Sequence, residues 1–185
     1  MAKNINNHLR NHYSNYNLLF LKRYCNELNV KDTKILDVGT GHYRNLRLFN
    51  EVGFKDLWGI DKNIPEPLDC KDLRINFCKR DIENGLPYRD KTFNIVLCNY
   101  VLMFISSERL NFVLGELLRV SSEFLIIETF KHEERAKTTD VKPYEFKDII
   151  SFFENRNDIE ILDKKVYYEK LLIRRKAICQ EKAVK

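Results

Sequence analysis

The chain has 185 residues, of which 44% are hydrophobic and 32% are charged, and its formal net charge is +5. This composition favours one globular domain over residues 1–185 and argues against a disordered chain. No apolar run approaches the roughly 20 residues that a membrane-spanning helix needs, and the polar N-terminus does not resemble a signal peptide. We therefore expect a cytoplasmic protein without a membrane partner.

The cysteines and histidines give no sign of a metal site. Five cysteines and four histidines are scattered along the chain, and no C-x-x-C pair occurs. This spacing is typical of reduced thiols in a cytoplasmic protein. We expect no bound metal.

The first predicted element is a helix that begins near Tyr13, with Ser14 as a candidate N-cap. We interpret its aromatic side chains mainly as a face turned toward the core. Three aromatic residues and a leucine recur every four positions, at Tyr16, Phe20, Tyr24 and Leu28.

The most informative stretch spans residues 34–45. It predicts a short buried strand, a turn containing Gly39 and Gly41, and the start of a helix that ends near Gly53. A strand, glycine loop and helix in this order place a small-molecule site at the carboxyl end of a parallel strand.

Two classes of ligand are bound by such loops, and dinucleotides such as NAD are the first of them. The loop can also be an ordinary turn that binds no ligand. The dinucleotide fingerprint G-x-G-x-x-G/A requires a small residue at position 44, because the helix packs closely against the strand there. Arg44 occupies that position, which argues against NAD.

The letters I-L-D-V-G-T-G of residues 35–41 resemble motif I of the class I S-adenosylmethionine-dependent methyltransferases. In that family a third glycine usually follows, and here Tyr43 takes its place. The resemblance implies S-adenosylmethionine as the cofactor. It also implies that the cofactor is contacted by the motif residues Asp37, Gly39, Thr40 and Gly41.

A second strand over residues 56–61 ends in Asp61. A carboxylate there can accept hydrogen bonds from both hydroxyls of a ribose, although strand-end acids are also often merely solvated. The position matches the acid that the family carries at the end of its second strand. We therefore assign Asp61 and the adjacent Lys62 to the predicted cofactor site.

A third strand is predicted to end at Asp81, and Leu86-Pro87-Tyr88 follow shortly after it. This resembles the family's acid followed by an L-P-F stretch. The resemblance implies that Asp81 contacts the adenine amino group and that the backbone amide of Ile82 contacts the ring.

A fourth, buried strand over residues 93–98 leads into Asn99 and Tyr100, which we expect on the rim of the site. Asn99 is a predicted cofactor contact. The pair resembles only weakly the N-P-P-Y motif of methyltransferases that act on the amino groups of adenine and cytosine, because both prolines are absent.

The next predicted elements are a helix over residues 108–120, capped by Ser106 or Ser107, and a fifth strand over residues 124–129. Glu128 lies near the carboxyl end of that strand and faces either an acceptor substrate or water. We name Tyr100 and Glu128 as candidate catalytic residues, for acceptor positioning or proton removal.

The C-terminal part predicts a mobile loop over residues 131–142, a helix over residues 144–153, and closing strands over residues 159–163 and 167–173. From residue 163 onward there are eight Lys or Arg and three Asp or Glu, which accounts for the whole net charge of +5. We favour protection of exposed strand edges as the reason for these charges. A nucleic-acid partner is the less favoured alternative.

Together these elements predict an α/β fold with a doubly wound sheet and an N-terminal helix, and the resemblance implies that the sheet has seven, mostly parallel strands. The resemblance implies an antiparallel last strand. It also implies methyl transfer from S-adenosylmethionine to an unidentified small molecule, protein or nucleic acid. The alternative is a non-catalytic regulatory or scaffold protein that binds S-adenosylmethionine, and Tyr43 in the glycine loop is the feature that favours it.

Overall fold

The computed structural model describes residues 13–63, 73–129 and 145–176, so the predicted loop over residues 131–142 lies outside the described residues. The described chain forms four helices and seven strands, besides three short 3-10 turns. In chain order they are α1 (Asn15–Tyr24), β1 (Lys34–Val38), α2 (Arg44–Val52), β2 (Asp56–Asp61), β3 (Asn76–Lys79), β4 (Phe93–Asn99), α3 (Ser107–Val120), β5 (Ser121–Glu128), α4 (Phe146–Glu154), β6 (Ile159–Lys165) and β7 (Lys170–Arg175).

The seven strands form one sheet in the order β3-β2-β1-β4-β5-β7-β6. Strands β1 to β5 pair in parallel, whereas β7 runs antiparallel to both β5 and β6. The predicted doubly wound sheet, its antiparallel last strand and the N-terminal helix are therefore confirmed.

The sheet carries a hydrophobic core on each face. Successive strand residues point to opposite faces, so Ile35 and Leu36 are both fully buried but belong to different cores. Helices α1 and α2 cover one face, and α3 and α4 cover the other. The strands can be apolar along their whole length for this reason.

Local sequence signals set the ends of two helices as predicted. The hydroxyl of Ser14 accepts hydrogen bonds from the backbone N–H groups of Tyr16 at 3.0 Å and Asn17 at 3.4 Å, which makes Ser14 the N-cap of α1. Helix α2 ends at Gly53, whose φ of 118° is readily adopted only by glycine.

Several strand boundaries differ from the sequence prediction, and the largest consequences concern β3 and β7. Strand β3 ends at Lys79 rather than at Asp81, because Asp81 caps the short turn Ile82–Asn84. Strand β7 begins at Lys170, and the predicted start at residue 167 is wrong. Tyr167 and Tyr168 lie in the turn before it, where Glu169 has a φ of 49°.

Candidate active site

The carboxyl ends of β1 and β4 define the crevice of this sheet. The two strands are neighbours, yet the chain continues from β1 toward β2 and β3 on one side and from β4 toward β5 on the other. Loops that leave adjacent strands in opposite directions open a ligand crevice at that point. The predicted site residues lie at or just beyond the carboxyl ends of strands β1 to β5.

The glycine loop after β1 is tied to the neighbouring strand. The backbone N–H groups of Gly39 and Thr40 both donate to the carbonyl of Ile60, at 2.8 and 3.1 Å. A Cβ added to Gly39 would come within 2.2 Å of Cγ2 of Val101, so close packing requires glycine there. A Cβ on Gly41 would meet nothing within 4 Å, so the loop borders open space at that residue.

Tyr43 adopts the backbone conformation that glycine would supply. Its φ of 57° and ψ of 18° are left-handed, and it forms the N-cap of α2. The conformation costs a non-glycine residue about 1–2 kcal/mol. The tyrosine ring packs edge-on against Phe77, with 6.2 Å between ring centroids. Tyr43, which stands in place of the family's third glycine, therefore keeps the turn in a glycine-like conformation, and the loop is not distorted at this residue.

Asp37 is buried directly beneath this loop. It is only 1% exposed, and its Oδ2 atom has no hydrogen-bond partner among the described residues. The hydroxyl of Thr40 is also buried, and it too has no hydrogen-bond partner among the described residues. Burial raises the pKa of Asp37 to about 7, and the guanidinium of Arg44 is the strongest influence that lowers it. Buried polar atoms in this state are satisfied when a ligand supplies the missing partners.

Asp61 stands at the end of β2 and faces the glycine loop. Its Oδ2 atom accepts a hydrogen bond from the N–H of Gly41 at 3.0 Å, and its Oδ1 atom accepts one from the N–H of Asn63 at 2.9 Å. Each carboxylate oxygen retains a second lone pair for a ligand. The adjacent Lys62 is exposed.

Asp81 lies two residues beyond β3, beside the end of β2. Its Oδ1 atom accepts a hydrogen bond from the N–H of Glu83 at 3.0 Å, and the following Ile82 is buried. The N–H of Arg80 donates to the carbonyl of Asp61 at 2.8 Å, which joins the two segments. The two predicted acids therefore follow adjacent strands at one edge of the crevice.

Asn99 and Glu128 are paired residues at the ends of β4 and β5. The amide of Asn99 donates to Oε2 of Glu128 at 3.2 Å, and its Oδ1 atom accepts from the amides of Asn17 at 3.0 Å and Asn45 at 3.4 Å. Ser14 adds a hydroxyl donor to Glu128. We call Ser14, Asn17, Asn45, Asn99 and Glu128 the polar cluster, and all five side chains are buried.

Glu128 also forms an ion pair with Lys170, with 2.5 Å between Nζ and Oε1. Glu128 is 2% exposed and Lys170 is 21% exposed, so the pair is largely shielded from water. Both oxygens of this predicted catalytic residue are thus bound by protein groups, which belong to the N-cap of α1, the end of β4 and the start of β7.

Tyr100 follows Asn99 on the rim of the crevice. It has a left-handed φ of 63°, and its N–H donates to the carbonyl of Glu128 at 2.7 Å. Its half-buried ring lies 5.4 Å from the guanidinium carbon of Arg44. A non-glycine residue held in this conformation beside a crevice indicates a position constrained by its surroundings.

Sequence reasoning missed three members of the polar cluster as site residues, namely Ser14, Asn17 and Asn45. Ser14 was expected only as a helix cap. Asn17 and Asn45 are 0% and 3% exposed, on the buried faces of α1 and α2. A polar residue on the apolar face of a predicted helix was the available signal.

The basic residues near the closing strands are mostly neutralised by neighbours. Lys170 binds Glu128, as described above. The other contacts are Lys164–Glu154 at 2.7 Å, Lys165–Asp163 at 3.8 Å, Arg174–Glu27 at 2.9 Å, Arg174–Glu123 at 3.3 Å and Arg175–Asp158 at 3.0 Å.

Two further features bear on the predicted class. Over the residues that the structure describes, no helix is long and apolar enough to cross a membrane. Within the same residues, no three His, Cys, Asp or Glu side chains are grouped in a way that could hold a metal ion.

Comparisons with known proteins agree with this geometry. Residues 36–123 match a family model described as a methyltransferase domain. No curated protein matches the chain. Among solved structures, an S-adenosylmethionine-dependent methyltransferase from Aquifex aeolicus is 22% identical, with a TM-score of 0.59 over 83% of this chain and 87% of that chain.

Two other similar structures differ in their chemistry. Magnesium protoporphyrin IX methyltransferase from Synechocystis PCC 6803, solved with bound S-adenosylhomocysteine, is 15% identical, with a TM-score of 0.64 over 87% of this chain and 82% of that chain. The cyclase SpnF is 17% identical, with a TM-score of 0.65 over 86% and 80%. At these identities the likeness shows the fold alone.

Residues 36–123 thus match a methyltransferase domain, and the sheet order has the fold of the S-adenosylmethionine-dependent methyltransferases, which supports the class that the sequence predicts. The matched residues 36–123 carry every predicted cofactor contact. S-adenosylmethionine is the cofactor of this class.

Proposed function

We propose that the protein binds S-adenosylmethionine across the carboxyl ends of β1, β2 and β3 and catalyses transfer of its methyl group to an acceptor at the Tyr100 rim. The observation that carries this proposal is the buried Oδ2 atom of Asp37 at the glycine loop, which has no hydrogen-bond partner among the described residues. Acids lie at or just beyond the carboxyl ends of three successive strands, at Asp37, Asp61 and Asp81, and can accept hydrogen bonds from an adenosine with an amino acid attached.

The residues of the crevice fit this cofactor. Asp37 can accept from an ammonium group, which would satisfy its unsatisfied oxygen. Asp61 can accept from ribose hydroxyls while it keeps its bond to the loop at Gly41. Asp81 can accept from the adenine amino group, next to the apolar side chain of Ile82.

S-adenosylmethionine supplies a methyl group that is already activated on a sulfonium sulfur. The contribution of the chain is therefore to hold donor and acceptor close and in line. Tyr100 is our candidate for positioning the acceptor, because its backbone is fixed by Glu128 and its ring is covered by Arg44.

The contacts of Glu128 bear on the class of acceptor. A hydroxyl or carbon acid needs a general base, whereas an amine or thiol acceptor can react without a dedicated one. Glu128 is bound by Lys170, Asn99 and Ser14, which supports a role in holding the rim rather than in taking a proton. We therefore propose an amine or thiol as the acceptor group.

Ligand-dependent thermal unfolding tests the cofactor. S-adenosylhomocysteine should raise the unfolding midpoint, because it binds only the native state, and NAD should leave the midpoint unchanged. A shift with NAD alone would contradict the proposal.

Transfer of a labelled methyl group into cell extract fractionated by size tests catalysis, since a cyclase shares this fold. The Asp61→Ala variant serves as the control that should incorporate little label. Tight S-adenosylhomocysteine binding without any transfer would support the alternative of a non-catalytic binding protein.

A further inference from the structure

A groove lies between helix α1 and the last two strands of the sheet, and none of the residues that line it is a predicted cofactor contact. On the side of α1, its lining residues are three and four positions apart and so share one face of the helix, namely Tyr16, Leu19, Phe20 and Arg23. On the side of the sheet, Asp163 of β6 and Leu172 of β7 are paired in register, so their side chains point to the same face. The groove has a volume of about 350 Å³, which is enough for a small molecule.

Much of the groove is apolar. Phe20, Tyr24 and Leu172 are buried members of the core that α1 forms with the sheet, and Leu19 stands beside them with 51% of its surface exposed. The rings of Phe20 and Tyr24 lie with their centroids 5.4 Å apart. An aromatic ligand that covers this surface removes apolar area from water and packs against other rings.

Asp163 contributes a carboxylate to the groove, and the protein already binds it. Its Oδ2 atom accepts a hydrogen bond from the hydroxyl of Tyr16 at 3.0 Å and lies 3.8 Å from Nζ of Lys165. Burial, with a smaller contribution from Asp163, raises the pKa of Tyr16 well above its usual range, so the hydroxyl keeps its proton and remains a donor. A ligand therefore does not have to supply a cation for Asp163.

Lys22 and Arg23 are not balanced in this way. Both are exposed in the last turn of α1, where a cation also offsets the helix dipole, and within the described residues neither forms an ion pair. The guanidinium carbon of Arg23 lies 5.3 Å from the ring centroid of Tyr24, at the edge of the groove. Together with Lys165, the lining carries three cations against one acid, so its electrostatic field favours an anion.

We propose that this groove binds a small aromatic carboxylate, as a ligand site separate from the cofactor crevice. The ring of the ligand packs against Leu19, Phe20 and Leu172, and its carboxylate accepts hydrogen bonds from Arg23 and Lys22. The planar fork of a guanidinium matches the two oxygens of a carboxylate. The inference does not depend on the proposed function, because no residue of the crevice takes part.

Titration by two-dimensional amide NMR with two matched ligands tests the inference. Naphthoate carries the ring and the charge, whereas naphthamide has nearly the same shape without the charge. Naphthoate should bind about three- to five-fold more tightly, which is the gain expected of an ion pair partly exposed to water. The amide signals that shift should belong to α1, β6 and β7.

Arg23→Gln should remove most of the preference for naphthoate, because it deletes the guanidinium and leaves the apolar contacts in place. Lys22→Gln is a second variant and should reduce the preference less, since a lysine offers no planar fork. Leu19→Ser should weaken binding of both ligands, because it removes part of the apolar surface.

Arg156→Gln is the matched control. Arg156 is also exposed, follows the end of helix α4, and has its guanidinium carbon 5.9 Å from the ring centroid of Phe152. Phe152 packs against the core on the opposite face of the sheet. This variant removes the same charge and should leave both affinities unchanged.

Equal affinity of the wild type for the two ligands, or no binding of naphthoate at all, would overturn the inference. A preference that survives in both Arg23→Gln and Lys22→Gln would do the same. Displacement of naphthoate by S-adenosylhomocysteine would place it in the cofactor crevice and would also overturn the inference. A preference that is lost in Arg23→Gln, kept in Arg156→Gln and unaffected by S-adenosylhomocysteine supports it.

Discussion

The N–H of Gly41 donates a hydrogen bond to Oδ2 of Asp61 at 3.0 Å, so the glycine loop after β1 and the acid after β2 form one unit. The two residues are separated by twenty positions in the chain. The contact fixes the carboxylate beside the open space at Gly41. It places a negative charge where the ribose of the cofactor is proposed to bind.

Asp61→Ala should weaken S-adenosylhomocysteine binding by about 1.5–3 kcal/mol, because a charged hydrogen-bond acceptor is lost. Isothermal calorimetry measures the change. Asp56→Ala is the control, since Asp56 begins the same strand at its opposite end and pairs with Lys34. An unchanged affinity in a folded Asp61→Ala variant would rule out the ribose contact.

Asp81→Ala should lower affinity for S-adenosylhomocysteine more than affinity for an analogue without the adenine amino group. Asp81 also accepts a hydrogen bond from the N–H of Glu83, so the variant should lose about 1 kcal/mol of folding stability. Any effect of this loss on binding should be the same for both ligands. The ratio of the two dissociation constants removes that common loss. Identical losses would mean that Asp81 does not contact the base.

Glu128→Gln should destabilise the protein, because it leaves Lys170 without its ion-pair partner in a largely buried place. We expect a loss of about 2–4 kcal/mol, somewhat less than the roughly 3–5 kcal/mol for a fully buried pair, since Lys170 keeps some contact with water. Urea unfolding of Glu128→Gln, Lys170→Met and the double variant measures the coupling. A fully stable Glu128→Gln variant that cannot transfer methyl groups would restore Glu128 as a catalytic residue.

Asp37 should make stability depend on pH. Its pKa is raised from 3.8 to about 7 in the folded protein, so the folded state binds the proton more tightly than the unfolded state does. The contribution of Asp37 to the free energy of unfolding is therefore most favourable below about pH 4, and it falls as the pH rises to about 7. Arg44 and Asp61 are the charged neighbours that influence this titration.

Asp37→Asn removes that titration. Relative to the wild type, the variant should gain stability through this pH window, by up to about 4 kcal/mol, and the difference should level off above pH 7. Urea unfolding at several pH values between 4 and 8 provides the measurement. A difference that stays constant across the window would show that Asp37 ionises normally.

Nucleic acid should bind weakly or not at all to the basic residues near β6 and β7. Arg174 and Arg175 are both held by acidic side chains, and Arg175 also donates to the carbonyl of Leu118 at 2.6 Å. Fluorescence anisotropy with tRNA at low salt provides the measurement. Tight binding that falls steeply with salt, by a slope that flattens in Arg174→Ala with Arg175→Ala, would reverse this expectation.

Local patterns were sufficient to predict the fold and the acids of the crevice. The glycine loop, Asp61 and Asp81 each lie within a few residues of the strand that positions them, so spacing along the chain predicted where they stand. Tyr43 was the exception. Its side chain suggested a changed loop, but the left-handed backbone is available to tyrosine at a modest cost.

The polar cluster could not be predicted, because its contacts join distant parts of the chain. Ser14 and Glu128 are 114 positions apart, and Asn17 and Asn99 are 82 apart. The start of β7 was missed for a different reason. Tyr167 and Tyr168 have high strand propensity, yet they belong to the turn at Glu169.

The position of β7 within the sheet has a consequence for how the protein is made. β7 is the last described strand in chain order, but it lies inside the sheet, between β5 and β6. Until β7 emerges from the ribosome, the edge of β5 remains uncovered, and Phe124, Leu125 and Ile126 are part of that edge. The nascent chain therefore carries an unpaired, apolar strand edge until β7 has been synthesised. Lys170, which forms the ion pair with Glu128, belongs to β7 and is therefore synthesised with the strand that covers the edge of β5.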